Sequence, residues 1–258
     1  MSGTRTSRLG RIDDGVREVA DGVLMITRAA TNSYLVDTDD GLILIDAGLP
    51  RSWSYLIAAL SAHRCAPDDL VSVVLTHGHF DHVGTAERLQ RDHHVPIHVH
   101  EADRPLVRHP YRYDREASRA LYPLRHPGGI PALARMARSG ALAVRGTEAL
   151  GDVVAGVPLL GGLVPIATPG HTSGHMAFHL PDRDVLFTGD ALVTFDPYTG
   201  RAMPQIVARA ATADSAAALA VLPVLATTRA ATLLPGHGDA WTDGVENAVV
   251  LARATGAH

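Results

Sequence analysis

The sequence predicts an α/β layered fold, and three features predict it. Short β-type runs alternate with helical stretches along the chain. Histidine- or aspartate-bearing segments follow the ends of those runs, each beside a glycine, where open α/β sheets gather their functional loops. The chain has 258 residues, 46% of them hydrophobic, which supplies a sizeable core for one domain spanning 1–258.

The elements follow in order. Residues 1–12 read as a flexible tail. Strands are predicted at 23–27, 33–36 and 42–45, separated by turn residues such as Asp39-Asp40-Gly41. Leu56, Ile57 and Leu60 at helical spacing predict a helix over 53–63. Val71-Ser72-Val73-Val74-Leu75 reads as a buried strand. A helix from Asp81 onward would carry Val83, Ala86 and Leu89, and 96–99 is a further short strand. Residues 103–140 change character, holding arginines, histidines, Tyr111, Tyr113 and Tyr122, and five prolines. They are too short to bury a core of their own and are predicted to form a helical, lid-like insertion ending in a helix over 130–138. Strands at 164–168, 176–180 and 185–188 come next, then a helix over 214–226, a strand at 232–234 and a closing helix over 244–254.

Composition narrows the partners. A net charge of −4 argues against a nucleic-acid backbone. All 23 basic residues are arginine, which removes lysine as an anchor for anions. A single cysteine, Cys65, excludes an internal disulfide, fits a reducing compartment, and reads as a small hydrophobe in a turn after a helix. The first residues lack a secretory apolar segment, and no run reaches membrane-spanning length, so the expectation is a cytoplasmic protein without a membrane partner.

The chemistry concentrates in Thr76-His77-Gly78-His79-Phe80-Asp81-His82. His77 and His79, two apart on an extended strand end, point the same way, and the following turn returns Asp81 and His82 toward the same point. Neutral imidazoles converging with a carboxylate make a zinc-type site, with Gly78 giving the loop room to bend. Three later segments repeat the pattern: Thr168-Pro169-Gly170-His171-Thr172-Ser173-Gly174-His175, Phe187-Thr188-Gly189-Asp190 and Leu234-Pro235-Gly236-His237-Gly238.

Together with Leu42-Ile43-Leu44-Ile45-Asp46-Ala47-Gly48, these segments resemble the metallo-β-lactamase superfamily in its order over most of the chain. The resemblance implies a four-layer αββα sandwich. It also implies one metal held by His77, His79 and His171, a second held by Asp81, His82 and His237, and Asp190 bridging both. Asp46 matches the family aspartate that orients the ligands from behind. His175 supports the site rather than ligating. His98 and His100 alternate on a strand but lack a carboxylate partner. His63, His93, His94, His109, His126, His179 and His258 read as structural or solvent-facing, and Asp14, Asp39-Asp40 and Asp68-Asp69 as turn or cap carboxylates.

The expected function is that of a hydrolase with two zinc ions per chain, iron or manganese being the alternatives. A metal-bridging hydroxide, oriented by the catalytic Asp81 and Asp190, would cleave an ester, lactone, thioester or β-lactam bond of a small molecule. Asp81 is the candidate for moving the proton to the leaving group, and a homodimer is an allowed assembly. No GxSxG elbow offers a covalent route. Within the superfamily, glyoxalase II-like enzymes carry a long helical region beyond the last histidine motif, whereas 21 residues follow His237 here, which counts against a glutathione thioester. Lactonases place a tyrosine shortly after the bridging aspartate; Tyr198, eight residues on, matches loosely. The rivals are an iron-dependent persulfide dioxygenase-like oxidoreductase, a nucleic-acid-processing hydrolase and a non-catalytic binding protein. The full ligand set and the acidic balance favour none of them.

Overall fold

The computed structural model describes residues 14–258; the tail expected at 1–12 lies outside them. Two sheets make the frame. The first orders six strands as they occur in the chain: β1 Gly15–Ala20, β2 Val23–Arg28, β3 Thr31–Thr38, β4 Gly41–Ile45, β5 Leu70–Val74 and β6 Ile97–His98. Strands β1 to β4 run antiparallel, and β5 and β6 join in parallel. The second sheet has four strands, β7 Val164–Ala167, β8 Met176–Leu180, β9 Val185–Gly189 and β12 Thr232–Pro235, in the order β12-β9-β8-β7. A separate hairpin pairs β10 Val193–Phe195 with β11 Ala202–Gln205.

Side-chain alternation assigns each strand face to a layer. Met25, Tyr34, Val36, Ile43 and Ile45 of the first sheet meet Met176, Phe178, Leu180 and Phe187 of the second in one buried cluster. The intervening residues Ile26, Leu35, Leu44 and Val73 face the other way, onto α1 (Trp53–Ala62) and α2 (Ala86–His93). On the far side, Ala177, Leu186 and Leu233 pack against α6 (Ser215–Ala226) and α7 (Val245–Thr255). The result is the expected helix–sheet–sheet–helix order of layers. No helix among the described residues is long and apolar enough to cross a membrane.

The insertion is helical but broken into α3 (Arg104–Arg108), α4 (Tyr122–Arg125) and α5 (Ile130–Met136), the last followed by a wide turn over Ala137–Ala141. Pro105, Pro123 and Pro131 stand in the first turns of these helices, where a missing N–H costs nothing. Three strands have no counterpart in the sequence reading: β1, β10 and β11. Strands β10 and β11 have only 3 and 4 residues, and the burial of β1 is only partial.

Two expectations about the backbone need correction. The helix assigned from Asp81 begins at Ala86. Ahead of it, Ala47 N–H donates to the His82 carbonyl at 2.7 Å, Gly84 N–H to the Gly48 carbonyl at 2.7 Å and Thr85 N–H to the Ala47 carbonyl at 3.1 Å. These bonds to the loop after β4 take the place of helical ones. Strand β5 likewise ends at Val74, so His77 and His79 stand on a loop, not on the strand end.

Candidate metal centre

All seven predicted ligands meet at one point between the two sheets. His77, His79 and Asp81 come from the loop after β5, His82 from the turn before α2, His171 from the loop between β7 and β8, Asp190 from the end of β9 and His237 from the end of β12. Each is at most 6% exposed, so these polar groups must satisfy one another or a ligand.

The Asp190 carboxylate stands at the middle. Its Oδ2 lies 3.3 Å from His171 Nε2, 3.3 Å from His237 Nε2 and 4.0 Å from His77 Nε2, and its Oδ1 lies 3.4 Å from His82 Nε2. Asp81 Oδ2 is 3.4 Å from His237 Nε2, and His79 Nδ1 is 2.9 Å from His171 Nε2. The ligand atoms fall into three overlapping groups: His77, His79 and His171; His77, His82 and Asp190; Asp81, His82 and His237.

The outward nitrogens explain why the inward ones are bare. His237 Nδ1–H donates to the Ala30 carbonyl at 2.9 Å, and His82 Nδ1–H to Asp46 Oδ2 at 2.9 Å. Thr212 gives its hydroxyl proton to the Val207 carbonyl, so its oxygen accepts from His171 Nδ1–H at 3.3 Å. Thr76 gives its own to Asp46 and accepts from His77 Nδ1–H at 2.9 Å. Four imidazoles are thereby fixed with Nε2 turned inward. Of these, His77 Nε2 and His82 Nε2, together with His79 Nε2 and Asp190 Oδ1, are buried without a hydrogen-bond partner. Converging lone pairs that no protein donor satisfies suit a pair of divalent cations, so the residues present fit the group that the resemblance implies.

Electrostatics gives the same account. Burial lowers His77, His79 and His175 well below the ordinary imidazole range and takes His171 to about 3. Burial thus favours the neutral form of these rings, the form in which imidazole can bind a metal. Burial opposes the charged form of His82 and His237 as well, but Asp190 outweighs it. His82 rises well above the ordinary range, helped by Asp46, and His237 rises to about 10, helped by Asp81. Burial also works against the Asp190 anion, yet His237 and His82 hold it well below the usual carboxylate range. The buried Asp190 carboxylate thus draws positive charge toward the middle of the cluster, the charge that divalent cations would supply.

The supporting residues come from far along the chain. His175 accepts the Asp190 backbone N–H at Nε2 (3.0 Å) and meets Thr168 Oγ1 at Nδ1 (2.7 Å), the supporting role expected of it. Asp46 sits in the left-handed region at φ 57°, unusual for a non-glycine residue. Sequence reading missed several others. Asn32 Nδ2 donates to the carbonyls of Pro235 and Gly238 at 2.9 and 2.8 Å, and Tyr34 Oη to Pro235 at 2.6 Å, clamping the His237 loop onto β3. The tight turn between β2 and β3 carries Ala29 and Ala30 at φ 53° and 66°, and this strained pair presents the carbonyl that fixes His237. Asp103, fully buried, accepts from Gly78 N–H (2.9 Å), Gly174 N–H (2.8 Å) and Thr172 Oγ1 (2.8 Å), tying both histidine loops to the insertion. The only sequence signal for it was a carboxylate at the insertion's first position.

Three smaller readings change. Gly78 serves close approach rather than bending, because a Cβ there would stand 2.5 Å from Leu106 Cβ and 2.8 Å from Val107 N. His98 does have a carboxylate partner, Asp152 at 3.0 Å, on the surface away from the cluster. Asp14 is more than a turn residue: it accepts from Ala29 N–H at 2.8 Å and pairs with Arg135 at 2.8 Å and Arg28 at 3.4 Å, fastening the insertion to the first sheet. Cys65 is half-buried in the turn after α1, as expected.

The insertion closes the cluster from above. The Tyr113 ring lies 3.9 Å from that of His79, between centroids, and is 5% exposed. Its hydroxyl takes a 2.8 Å bond from Arg119 and stands 3.4 Å from that of Tyr198.

Comparisons with known proteins point one way. The family model described as the metallo-beta-lactamase superfamily matches residues 26–237. A probable metallo-hydrolase of Bacillus subtilis, YflN, is 30% identical over 188 residues, covering 69% of this chain and 67% of that protein. The uncharacterized protein Rv2581c of Mycobacterium tuberculosis is 29% identical over 231 residues, covering 84% and 90%. Among solved structures, TTHA1623 in a di-iron-bound form superposes with a TM-score of 0.58 at 28% identity, over 86% of this chain and 95% of that one. The Thermus thermophilus metallo-beta-lactamase family protein TTHA1429 gives a TM-score of 0.62 over 87% and 74%, and at 22% identity speaks for the fold alone.

Proposed function

The chain belongs to the metallo-β-lactamase superfamily and is a metal-dependent hydrolase; from that premise we propose that it holds two zinc ions and cleaves an ester, lactone, thioester or β-lactam bond of a small molecule. His77, His79 and His171 would hold one ion and Asp81, His82 and His237 the other, with Asp190 shared. The observation that carries this reading is the set of inward Nε2 atoms, each fixed by an outward bond from its Nδ1 and none supplied with a protein donor at His77 or His82.

Bound as a pair, the ions supply a Lewis acid and a water acidic enough to attack at neutral pH, with a pKa brought to ~7. The chain's own residues do the rest. Asp190, within 4.0 Å of four imidazoles, fixes the spacing of the two ligand sets. Asp81 Oδ2, 3.4 Å from His237 Nε2, is placed to hold the proton released by the attacking water and return it to the leaving group. Burial of all seven ligands, with Tyr113 over His79, keeps bulk water from competing and strengthens every charge interaction within.

The di-iron form of TTHA1623 supports a two-metal centre in this family and leaves iron as the alternative to zinc. Metal content of protein purified without chelator, together with turnover on a mixed ester, lactone, thioester and β-lactam panel, tests the reading. Two zincs per chain with hydrolysis of one bond class is the expected result. One iron per chain, no hydrolysis, and oxygen uptake with persulfides would replace it with the dioxygenase-like reading.

A further inference from the structure

An apolar pocket of about 230 Å³ opens beside the metal centre, under the insertion. Phe80, which lies between two of the ligands in the chain, forms its floor, and Tyr111, Leu133, Met136 and Tyr198 form its walls. The pocket is built rather than incidental. Tyr111 stacks on Phe80 at 5.5 Å, donates its hydroxyl proton to the Ala141 carbonyl at 2.9 Å and accepts Val144 N–H at 2.8 Å, so its ring is held from both ends. The Tyr198 loop is pressed onto the insertion so closely that a Cβ on Gly129 would stand 2.1 Å from the Tyr198 carbonyl oxygen.

One charge interrupts this apolar lining. Arg119, half-buried, spends one bond on Tyr113 Oη and lies over the Tyr113 ring at 4.7 Å. No carboxylate among the described residues lies within ion-pair distance of it. A guanidinium has five donors in a fork that matches a carboxylate or sulfonate, and a half-buried one without a counter-ion gains from meeting one. The chain has no lysine to share this task. Arg119 and Tyr198, which line the pocket, both bond Tyr113, and Tyr113 covers His79, so a single side chain links the pocket lining to the metal cluster.

We infer that this pocket receives the apolar arm of an anionic substrate, with a carboxylate-type group on that arm paired to Arg119 and the scissile carbonyl at the metal centre. The inference rests on the hydrolytic reading of the cluster for the second half of that placement only. It assigns Arg119 and the pocket to specificity, and the substrates to amphipathic acids bearing an acyl or aryl body.

Calorimetry on the metal-loaded protein tests it with hexanesulfonate, methanesulfonate and hexanamide, sulfonates being poor metal ligands. Hexanesulfonate should bind at least ~10-fold more tightly than either of the other two. Arg119→Ala should weaken hexanesulfonate by about 10- to 100-fold, the range for a lost hydrogen-bonded charge, and leave hexanamide unchanged. Leu133→Trp should weaken hexanesulfonate and hexanamide alike. Arg119→Lys, which keeps the charge without the fork, should fall between, and it carries the charge test if the alanine variant melts early. Equal binding of hexanesulfonate to wild type and both Arg119 variants, or of methanesulfonate and hexanesulfonate to wild type, would overturn the assignment. The hydrolysis panel is read separately. The binding pattern without any hydrolysis keeps the pocket and removes the reading of the cluster; hydrolysis without the binding pattern removes the pocket alone.

Discussion

Asp46 shows how much of the candidate metal centre depends on residues outside the set of proposed ligands. It accepts from His82 Nδ1, Thr76 N–H and the Thr76 hydroxyl, and Thr76 in turn accepts from His77, so one carboxylate aims two imidazoles. Asp46→Asn keeps the shape and tolerates the left-handed backbone, but it places an amide donor where both oxygens must accept. Metal affinity should fall by about 10- to 100-fold, as read by chelator competition, with the far-UV spectrum unchanged. Gly236 is a sharper case. A Cβ there would lie 2.2 Å from Asp190 Oδ1 and 2.8 Å from His82 Cε1. Gly236→Ala should therefore purify with at least one metal fewer per chain; full metal content in that variant would show that the loop gives way instead.

Among the elements, the strands between the two sheets were the most legible. Strand β8 begins and ends where the sequence placed it, because its alternation is regular and both neighbours are strands. Phe178 on that strand is fully buried in the inter-sheet cluster, and Phe178→Ala should cost ~3–5 kcal/mol in denaturant unfolding of the metal-stripped protein. The helix placed from Asp81 was misjudged for a physical reason: Val83, Ala86 and Leu89 have helical spacing, yet the backbone from 82 to 85 is bonded to residues 47 and 48. The insertion depends on Asp103 in the same long-range way. Asp103→Ala would strand two buried N–H groups and a hydroxyl, at ~1–3 kcal/mol each where water cannot reach them. The melting temperature should drop by several degrees, and the loss should exceed that of Asp152→Ala, whose bond to His98 is exposed.

For the whole molecule, the metal centre is also a joint. Its candidate ligands come from both sheets, and the Asn32 and Tyr34 bonds to the His237 loop cross between them. Cations that bind only this folded arrangement stabilise it by mass action, and their removal leaves unpartnered polar atoms in the interior. Exhaustive chelation should lower the melting temperature by at least several degrees, and zinc should restore it in a concentration-dependent way. A melting curve indifferent to chelator would contradict a structural role for the centre.

The sequence by itself determined an α/β layered fold, and through its resemblance to the metallo-β-lactamase superfamily it implied the layer order and which residues meet. Period-two and helical spacing reveal which face of an element is apolar, and His77, His79, Asp81, His82, His171, Asp190 and His237 fall in glycine-bearing segments that follow strands, where side chains of that kind have no use in a core. Tertiary structure alone decided what holds them there. Asp46 was legible through its motif, but Asn32, Thr212, Asp103 and the carbonyl of Ala30 act on residues 25 to 207 positions away. No local period records such a partnership. The placement of Tyr113 over His79 and of Arg119 beside the apolar pocket is of the same kind, fixed by packing between an irregular insertion and loops that only the closed sandwich brings within reach.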